Sequence, residues 1–383
     1  MAVQRYRGGE SAKSICVSLS RTKPWLYKWV KRYDSDDPEW YCERSRAPRT
    51  CPKRISPEIE EIVRQTRQAL EKDGLFSGAQ SILWELEEAD ITPLPSLRSV
   101  NRILSRNGLI HRREGPYEPK GTPYPALATE VPNRRHQADF VGPRYLRGRT
   151  KSLRFYSLNI VDLATGRCAC EPLLERGQNA VCKAFWLTWG RIGMPRQIQV
   201  DNEMVFYGSP TYPRGMGPLI RLCLHFDIEP WFIPQAEPWR NGVVEQFNRH
   251  YQQKFLGRFQ METVHDLRTG SLAFEQKHNS RYRYSKLNGR TPLKALNELN
   301  KKPLRFPPDQ MVPKAPMEKP QSGRYHLIRL IRSDCTLDIF GERFHVPSNL
   351  QYEYVVATID VKEQKLKLIH EEIQVDEFDY KLR

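Results

Sequence analysis

Apolar positions recur along this chain with two different periods, and the changes of period divide it. Ala12, Ile15, Cys16 and Leu19 stand at helical spacing, Ser20-Arg21-Thr22-Lys23 reads as a turn, and Trp25, Leu26, Trp29 and Val30 resume the period behind Pro24, which suits a first helical turn. Ser56-Pro57-Glu58-Ile59 opens a second helical stretch with a cap and an early proline. A further helix carries Ile82, Leu83 and Leu86, and Ser96 precedes a third with Leu97, Val100, Ile103 and Leu104. From residue 136 the pattern shortens into apolar runs. Residues 136–141, 153–163 and 167–174 read as strands, with Gly166 in the turn between the last two. Then come an amphipathic helix over 179–191, a buried strand over 198–200, a helix over 218–226, a strand over 230–233 and a long helix from 243 to about 259. The order β-β-β-α-β-α-β-α predicts an α/β core. Beyond residue 322, alternating runs at 325–330, 340–347, 352–361 and 365–370 predict a small β-barrel.

Prolines at high density block regular ladders and mark the joints. They divide the chain into a helix-turn-helix module over 1–43, a basic linker over 44–56, a second helix-turn-helix module over 57–110, a linker over 111–131, the α/β core over 132–299, a Pro-rich linker over 300–321 and the barrel over 322–383. Each helical module turns a basic face outward: Lys23, Lys28 and Lys31 in the first, and Arg98, Asn101 and Arg102 in the second. The first linker adds Arg46, Arg49, Lys53 and Arg54. A short helix, a tight turn and a second basic helix form a DNA-reading pattern. A plain helical bundle with a solvated basic face gives the same sequence.

Charge sharpens this. The 383 residues hold 61 Lys and Arg against 45 Asp and Glu, a net charge of +16, which favours a polyanionic partner. No apolar run is long enough to span a bilayer, and the N-terminus lacks the apolar core of a signal peptide, so a cytoplasmic protein without a membrane partner is expected. The eight cysteines are scattered with no C-x-x-C pair, as thiols in a reducing compartment would be, and no zinc module is expected.

Three segments carry candidate chemistry: His136-Gln137-Ala138-Asp139-Phe140, Gln199-Val200-Asp201-Asn202-Glu203, and Asn241-Gly242-Val243-Val244-Glu245-Gln246-Phe247-Asn248-Arg249. Asp139 and Asp201 end strand-like runs, and a helical crossover would bring parallel strand ends together. Glu245 lies one turn into a helix whose polar face also holds Asn241, Asn248 and Arg249. Three carboxylates form an all-oxygen site suited to Mg²⁺ or Mn²⁺. Any one of them alone reads equally as a cap or an exposed charge, and Asp162 is a rival acid placed at a strand-end turn.

With these motifs, residues 132–299 resemble the catalytic core of the retroviral-integrase superfamily, in particular bacterial insertion-sequence transposases with an RNase H-like fold. The resemblance rests on an Asp in a first strand, Asp201-Asn202 after an Ile-x-Val strand, and Pro238-x-x-Asn241-Gly242-x-x-Glu245-x-Phe247-Asn248-Arg249. It implies that Asp139, Asp201 and Glu245 are catalytic and hold two divalent ions. It places Asn202, Asn241 and Arg249 near the site. The helical front and β tail match the usual domain order of such transposases, so the likeness covers nearly the whole chain. It also implies binding of terminal inverted repeats and target DNA, metal-dependent cleavage and strand transfer, a homo-oligomeric synaptic complex and a bacterial, nucleoid-associated location. Lys254, the linkers and Arg258 would neutralise phosphates.

Two departures stand out. Glu203 replaces a glycine common after the Asp-Asn pair, and residues 207–215 look like an inserted loop. A DNA-binding regulator derived from a transposase, or a metal-dependent nuclease that cuts without joining, are the other readings of the same residues.

Overall fold

The first helical period folds into α1 (Ala2–Arg7), α2 (Ala12–Ser18) and α3 (Lys23–Arg32), which close over Ile15, Cys16 and Leu26. The Oγ of Ser11 accepts from the Ser14 amide to start α2, and Ser20 takes φ 52° in the turn before α3. The computed structural model describes residues 1–43, 55–110, 123–125, 129–147, 152–208, 214–299, 305–307, 311–314 and 317–383. Met1–Ser56 form one compact unit and Pro57–Arg383 another. In the first unit Lys23 and Lys31 are exposed. Lys28 instead is half-buried and pairs with Glu43 at 2.7 Å, so the phosphate contact expected of it competes with an internal partner. Arg46, Arg49, Lys53 and Arg54 lie outside the described residues.

The second unit begins with α4 (Pro57–Lys72), α5 (Ala79–Glu88) and α6 (Leu97–Arg106); Ile59, Ile82, Leu86, Val100, Ile103 and Leu104 are buried as the period requires, while Leu83 is half-buried and Leu97 exposed. Ser96 caps α6 through the Ser99 amide. Arg98, Asn101 and Arg102 are exposed on α6, while Arg106 pairs with Glu60 at 2.7 Å.

The core follows with β1 (Arg135–Arg147), β2 (Ser152–Asp162), β3 (Cys168–Leu173), α7 (Gln178–Ile192), β4 (Gln197–Val200), α8 (Met204–Tyr207), α9 (Pro218–His225), β5 (Glu229–Phe232), α10 (Gly242–Tyr251), α11 (Val264–Arg281) and α12 (Pro292–Leu299). β1 pairs antiparallel with β2, and β2 with β3, while β4 lies parallel to β1 and β5 parallel to β4. Alternation along the strands sends Ala138, Phe140, Leu158 and Ile160 to one face, against Phe185 and Trp189 of α7. Val141, Val161, Cys168 and Cys170 go to the other, against Val244, Phe247, Tyr251 and Phe274 of α10 and α11. The helix expected to run unbroken past Glu245 instead turns π-helical at Gln252–Leu256.

α11 was not marked by the apolar pattern. Its buried face carries Ser271, Glu275, His278 and Asn279, so its helical period is not a hydrophobic one. These groups bond the sheet: Glu275 accepts from the Cys170 amide at 2.9 Å, and Asn279 exchanges two bonds with the Cys168 backbone at 2.9 Å each. The same helix holds α4 and α5, since Tyr282 just beyond it donates to the Gly74 carbonyl at 2.7 Å and Arg283 lies 3.7 Å from Glu85.

The tail folds into β6 (Arg324–Leu330), β7 (Thr336–Ile339), β8 (Glu342–His345), β9 (Tyr354–Asp360), β10 (Lys365–His370) and β11 (Ile373–Asp379). The expected small barrel takes a different form: among the described residues its ladder does not close. β6 pairs parallel with β5, so one mixed nine-stranded sheet runs β11-β10-β9-β6-β5-β4-β1-β2-β3, and β7-β8 form a separate hairpin. The reason is shared burial, because Leu337, Ile339, Phe340, Val355 and Leu366 join the same apolar cluster as Phe206, Met216 and Phe232 of the core. Phe340-Gly341, expected within a strand, is the hairpin turn, with φ 51° and 93°.

Candidate active site

The three sequence motifs meet where the β1–β4 pairing ends; β4 stops at Val200, but β1 runs on to Arg147, so Asp139 lies within its strand and not at the strand end expected of it. Gln137 on β1 accepts from the amides of Val243 and Val244, both at 3.1 Å, and so satisfies two of the free donors at the start of α10. Asn241 donates to the Ala138 carbonyl at 3.1 Å, and Gln199 on β4 donates to the Arg240 carbonyl at 2.9 Å. These bonds fix the short helical turn Pro238–Asn241 against both strands and leave Glu245 one turn up α10. The Asn-Gly-x-x-Glu spacing is the distance from that clamp to the acid.

Asp139 and Glu245 line one cleft of about 400 Å³. The Oδ1 of Asp139 accepts from the Phe140 amide at 2.8 Å, and its Oδ2 from Asn248 at 2.7 Å. Asn248 in turn accepts from Asn159 at 2.7 Å, whose amide oxygen accepts from Ser157 at 2.9 Å. This buried relay of neutral groups orients the carboxylate and supplies no positive charge. Burial first, then Asp201, with Glu203 and Glu245 adding to it, pushes the Asp139 carboxyl up to about 7. Burial raises Asp201 as well, against its bond from the Glu203 amide at 3.0 Å and the nearby Arg176. Asp139 therefore senses both other predicted acids. Among the described residues no group of three or more His, Cys, Asp or Glu side chains is placed so as to hold a metal ion; Asp139 and Glu245 share one cleft, and Asp201 acts on Asp139 from outside its lining.

Glu203 does not point away. Its Oε2 meets Arg176 at 2.5 Å, and that guanidinium lies over the rings of Tyr156, at 4.8 Å, and Phe140, at 5.7 Å. Burial, then Asp201, raises the Glu203 carboxyl, and Arg176 opposes both. Sequence reading missed Arg176, and only the odd acid at 203 hinted that a counter-charge was needed.

The expected near-site residues separate. Asn241 is the clamp just described. Asn202 donates to the Ile233 carbonyl at 2.6 Å and accepts from the buried Arg329 of β6 at 3.0 Å, holding the turn that carries Asp201. Arg249 is exposed, and its neighbour Asn248 is the residue of α10 that reaches Asp139. The tail strands brace the site twice, through Arg329 and through Tyr354 of β9, whose hydroxyl bonds Glu237 at 2.8 Å and Arg240 at 3.1 Å beside the clamp. Lys254 lies half-buried on the π-helical turn, with its pKa lowered by burial and by Arg258. Of the 207–215 loop, residues 209–213 lie outside the described ones, and Arg214 pairs with Glu342 at 2.5 Å.

Residues 226–292 match the Integrase core domain family. The matched stretch holds β5, α10 and α11, and with them Glu245, while both aspartates precede it. Among solved structures, the magnesium complex of the HTLV-2 integrase catalytic core domain is similar at 16% identity and TM-score 0.33, covering 43% of this chain and 97% of that one. The simian T-cell lymphotropic virus intasome in complex with a PP2A regulatory subunit is similar at 12% identity and TM-score 0.35, covering 83% of this chain and 97% of that one. Among the described residues no helix is long and apolar enough to cross a membrane.

Proposed function

We propose that the chain is a DNA transposase that binds terminal inverted repeats and catalyses divalent-metal-dependent cleavage and strand transfer. The observation that carries this reading is Asp139, buried beside Glu245 in one cleft and pressed upward by burial and by Asp201, Glu203 and Glu245, in a chain that matches the Integrase core domain family. The donor set fits a hard divalent cation: it is all oxygen, and its negative charge exceeds what Arg176 and the neutral Asn248 relay can balance. Asp139, Asp201 and Glu245 would hold Mg²⁺ or Mn²⁺, two ions per site. Bound there, the ions would supply Lewis-acid stabilisation of a phosphodiester and activation of its attacking group.

The chain's own residues do the rest. Asn248 fixes the rotamer of Asp139, the Gln137 and Asn241 clamp fixes the approach of Glu245, and Asn202 with Arg329 fixes the turn at Asp201. Exposed Lys23, Lys31, Arg98, Asn101 and Arg102 are placed on helices suited to phosphates and base edges, so end recognition belongs to the helical modules. Joining two DNA ends to a target needs more than one site, hence several copies of the chain in a synaptic complex.

The decisive experiment is strand transfer of candidate terminal-repeat DNA in Mg²⁺ or Mn²⁺, with wild type and Asp201→Asn in parallel. The variant is expected to bind ends within a few-fold of wild type and to yield neither cleaved nor joined product. Equal product from both proteins would sink the proposal. Cleavage without joining by wild type would make it a nuclease, and end binding without either a regulator.

A further inference from the structure

The cleft at Asp139 and Glu245 does not stop at the acids. A second cavity, of about 670 Å³, shares Pro143, Arg144 and Gln252 with it and runs on to Phe259 and Met261. Two large rings line this extension while remaining open to solvent: Tyr145 on β1 is 60% exposed and Phe259, beyond the π-helical turn, is 61% exposed. Both positions have local causes. The β1-β2 register shifts between Val141 and Arg144, which re-aims the side chains that follow. The π-helical turn Gln252–Leu256 carries Gln252 to a hydrogen bond with Arg144, tying the two walls together.

We infer that this extension is a binding site for unpaired DNA, whose bases stack on Tyr145 and Phe259 while the backbone runs toward the acids. The inference rests on the proposed DNA chemistry at Asp139 and deepens it. Three features choose this occupant. The cavity adjoins the acid cleft across Pro143, Arg144 and Gln252, which line both, so a strand lying in one leads to the other. Arg144 and Arg258 line it, the latter with one nitrogen tied to the Glu71 carbonyl, and they suit a phosphate backbone. Exposed ring faces suit flat bases, and a duplex keeps its base faces inside its own stack, so only an unpaired stretch can offer them. Glu262 at the same cavity disfavours crowding phosphates at its position and leaves the two arginines as the backbone track.

The test uses the full chain in EDTA, with no cleavage possible. The probe is a duplex bearing an overhang of about five unpaired nucleotides, one of them 2-aminopurine, compared with the blunt duplex. Wild type is expected to prefer the overhang and to quench its emission. Tyr145→Ala and Phe259→Ala should each weaken overhang binding by about fivefold or more and relieve the quenching, with blunt-duplex binding unchanged. Tyr145→Phe, which keeps the ring, should behave as wild type. The preference should shrink only in part as salt is raised, because the Arg144 and Arg258 contacts release counterions and the stacking does not. Unchanged overhang binding and emission in both alanine variants would overturn the inference. So would an equal loss of blunt binding, or a melting temperature lowered in step with the binding, since the rings would then serve the fold. Neither readout needs metal or turnover, so the outcome is separate from that of the Asp201→Asn experiment.

Discussion

Asp139 and Asp162 lie on neighbouring strands of one antiparallel ladder, the first opposite Asn159 and the second opposite His136, and burial raises the carboxyl of both. Their surroundings then diverge. Asp162 accepts from the Asn133 amide at 3.1 Å, the Thr165 amide at 3.1 Å and the Thr165 hydroxyl at 2.5 Å, and each of these bonds favours its charge. Asp139 has the Phe140 amide in its favour, and against it stand Asp201, Glu203 and Glu245. One aspartate is answered by donors of its own turn and by the Asn133 amide ahead of β1. The other is left with charge that a ligand has to answer. Buried acid is common to structure and function, and the sign of what surrounds it tells them apart.

Three experiments can break or sharpen that contrast. The largest effect is expected from exchanging the two losses. Asp139→Asn should lower metal-dependent strand cleavage by about a thousandfold or more, the several kcal/mol that metal-held charge supplies, without lowering the melting temperature. Asp162→Ala strands buried donors and should cost about 3 kcal/mol of stability in a denaturant titration, with the folded fraction still active. The contrast fails if Asp162→Ala abolishes cleavage at full stability.

Asn248→Ala should act next in size. It removes the neutral bond that orients Asp139 at 2.7 Å, and a loss of about 10- to 100-fold in Mn²⁺ affinity, read by titration calorimetry, is expected. An affinity equal to wild type would show that Asp139 needs no orientation.

The smallest effect concerns pH in metal-free protein. The Asp139 carboxyl sits at about 7 when folded against an ordinary 3.8, so across that range the folded chain keeps a proton that the unfolded chain has lost. Its relative stabilisation is complete below the ordinary value and is lost as pH rises through about 7. The melting temperature of Asp139→Asn minus that of wild type should therefore grow from about pH 4 to about pH 8 in EDTA. A constant difference would mean that neither burial nor the neighbouring acids raise Asp139.

Most core strands were legible because they are short apolar runs ended by a polar or glycine turn, as with β4 before Asp201; β1 was read only to Val141, and its run past Gly142-Pro143 to Arg147 was not legible. The site's frame was less so. Asn248 stood in a recognised motif, but which of Asn248 and Arg249 faces Asp139 depends on how α10 is rolled against β1. That roll is set by Gln137 and by the packing of Val244, Phe247 and Tyr251. α11 escaped notice because Ser271, Glu275, His278 and Asn279 interrupt its inward face beside Leu267 and Phe274, and their partners on β3, α7 and α10 are distant in sequence. Arg176, Arg329 and Tyr354 carry no local signal at all, since their partners Glu203, Asn202 and Glu237 lie far off in sequence.

By itself the sequence determined the local periods, the order of strands and helices, the basic balance of the chain and the three acid-bearing segments, because these follow from residue type and near spacing. Tertiary structure alone decided which charges are answered and which are not. It bound the tail strands to β5 as one sheet, set Arg176 against Glu203, and packed the second helical module on α11. Burial and ion pairing depend on neighbours that only the folded chain brings together, and at Asp139 those neighbours are mostly other acids.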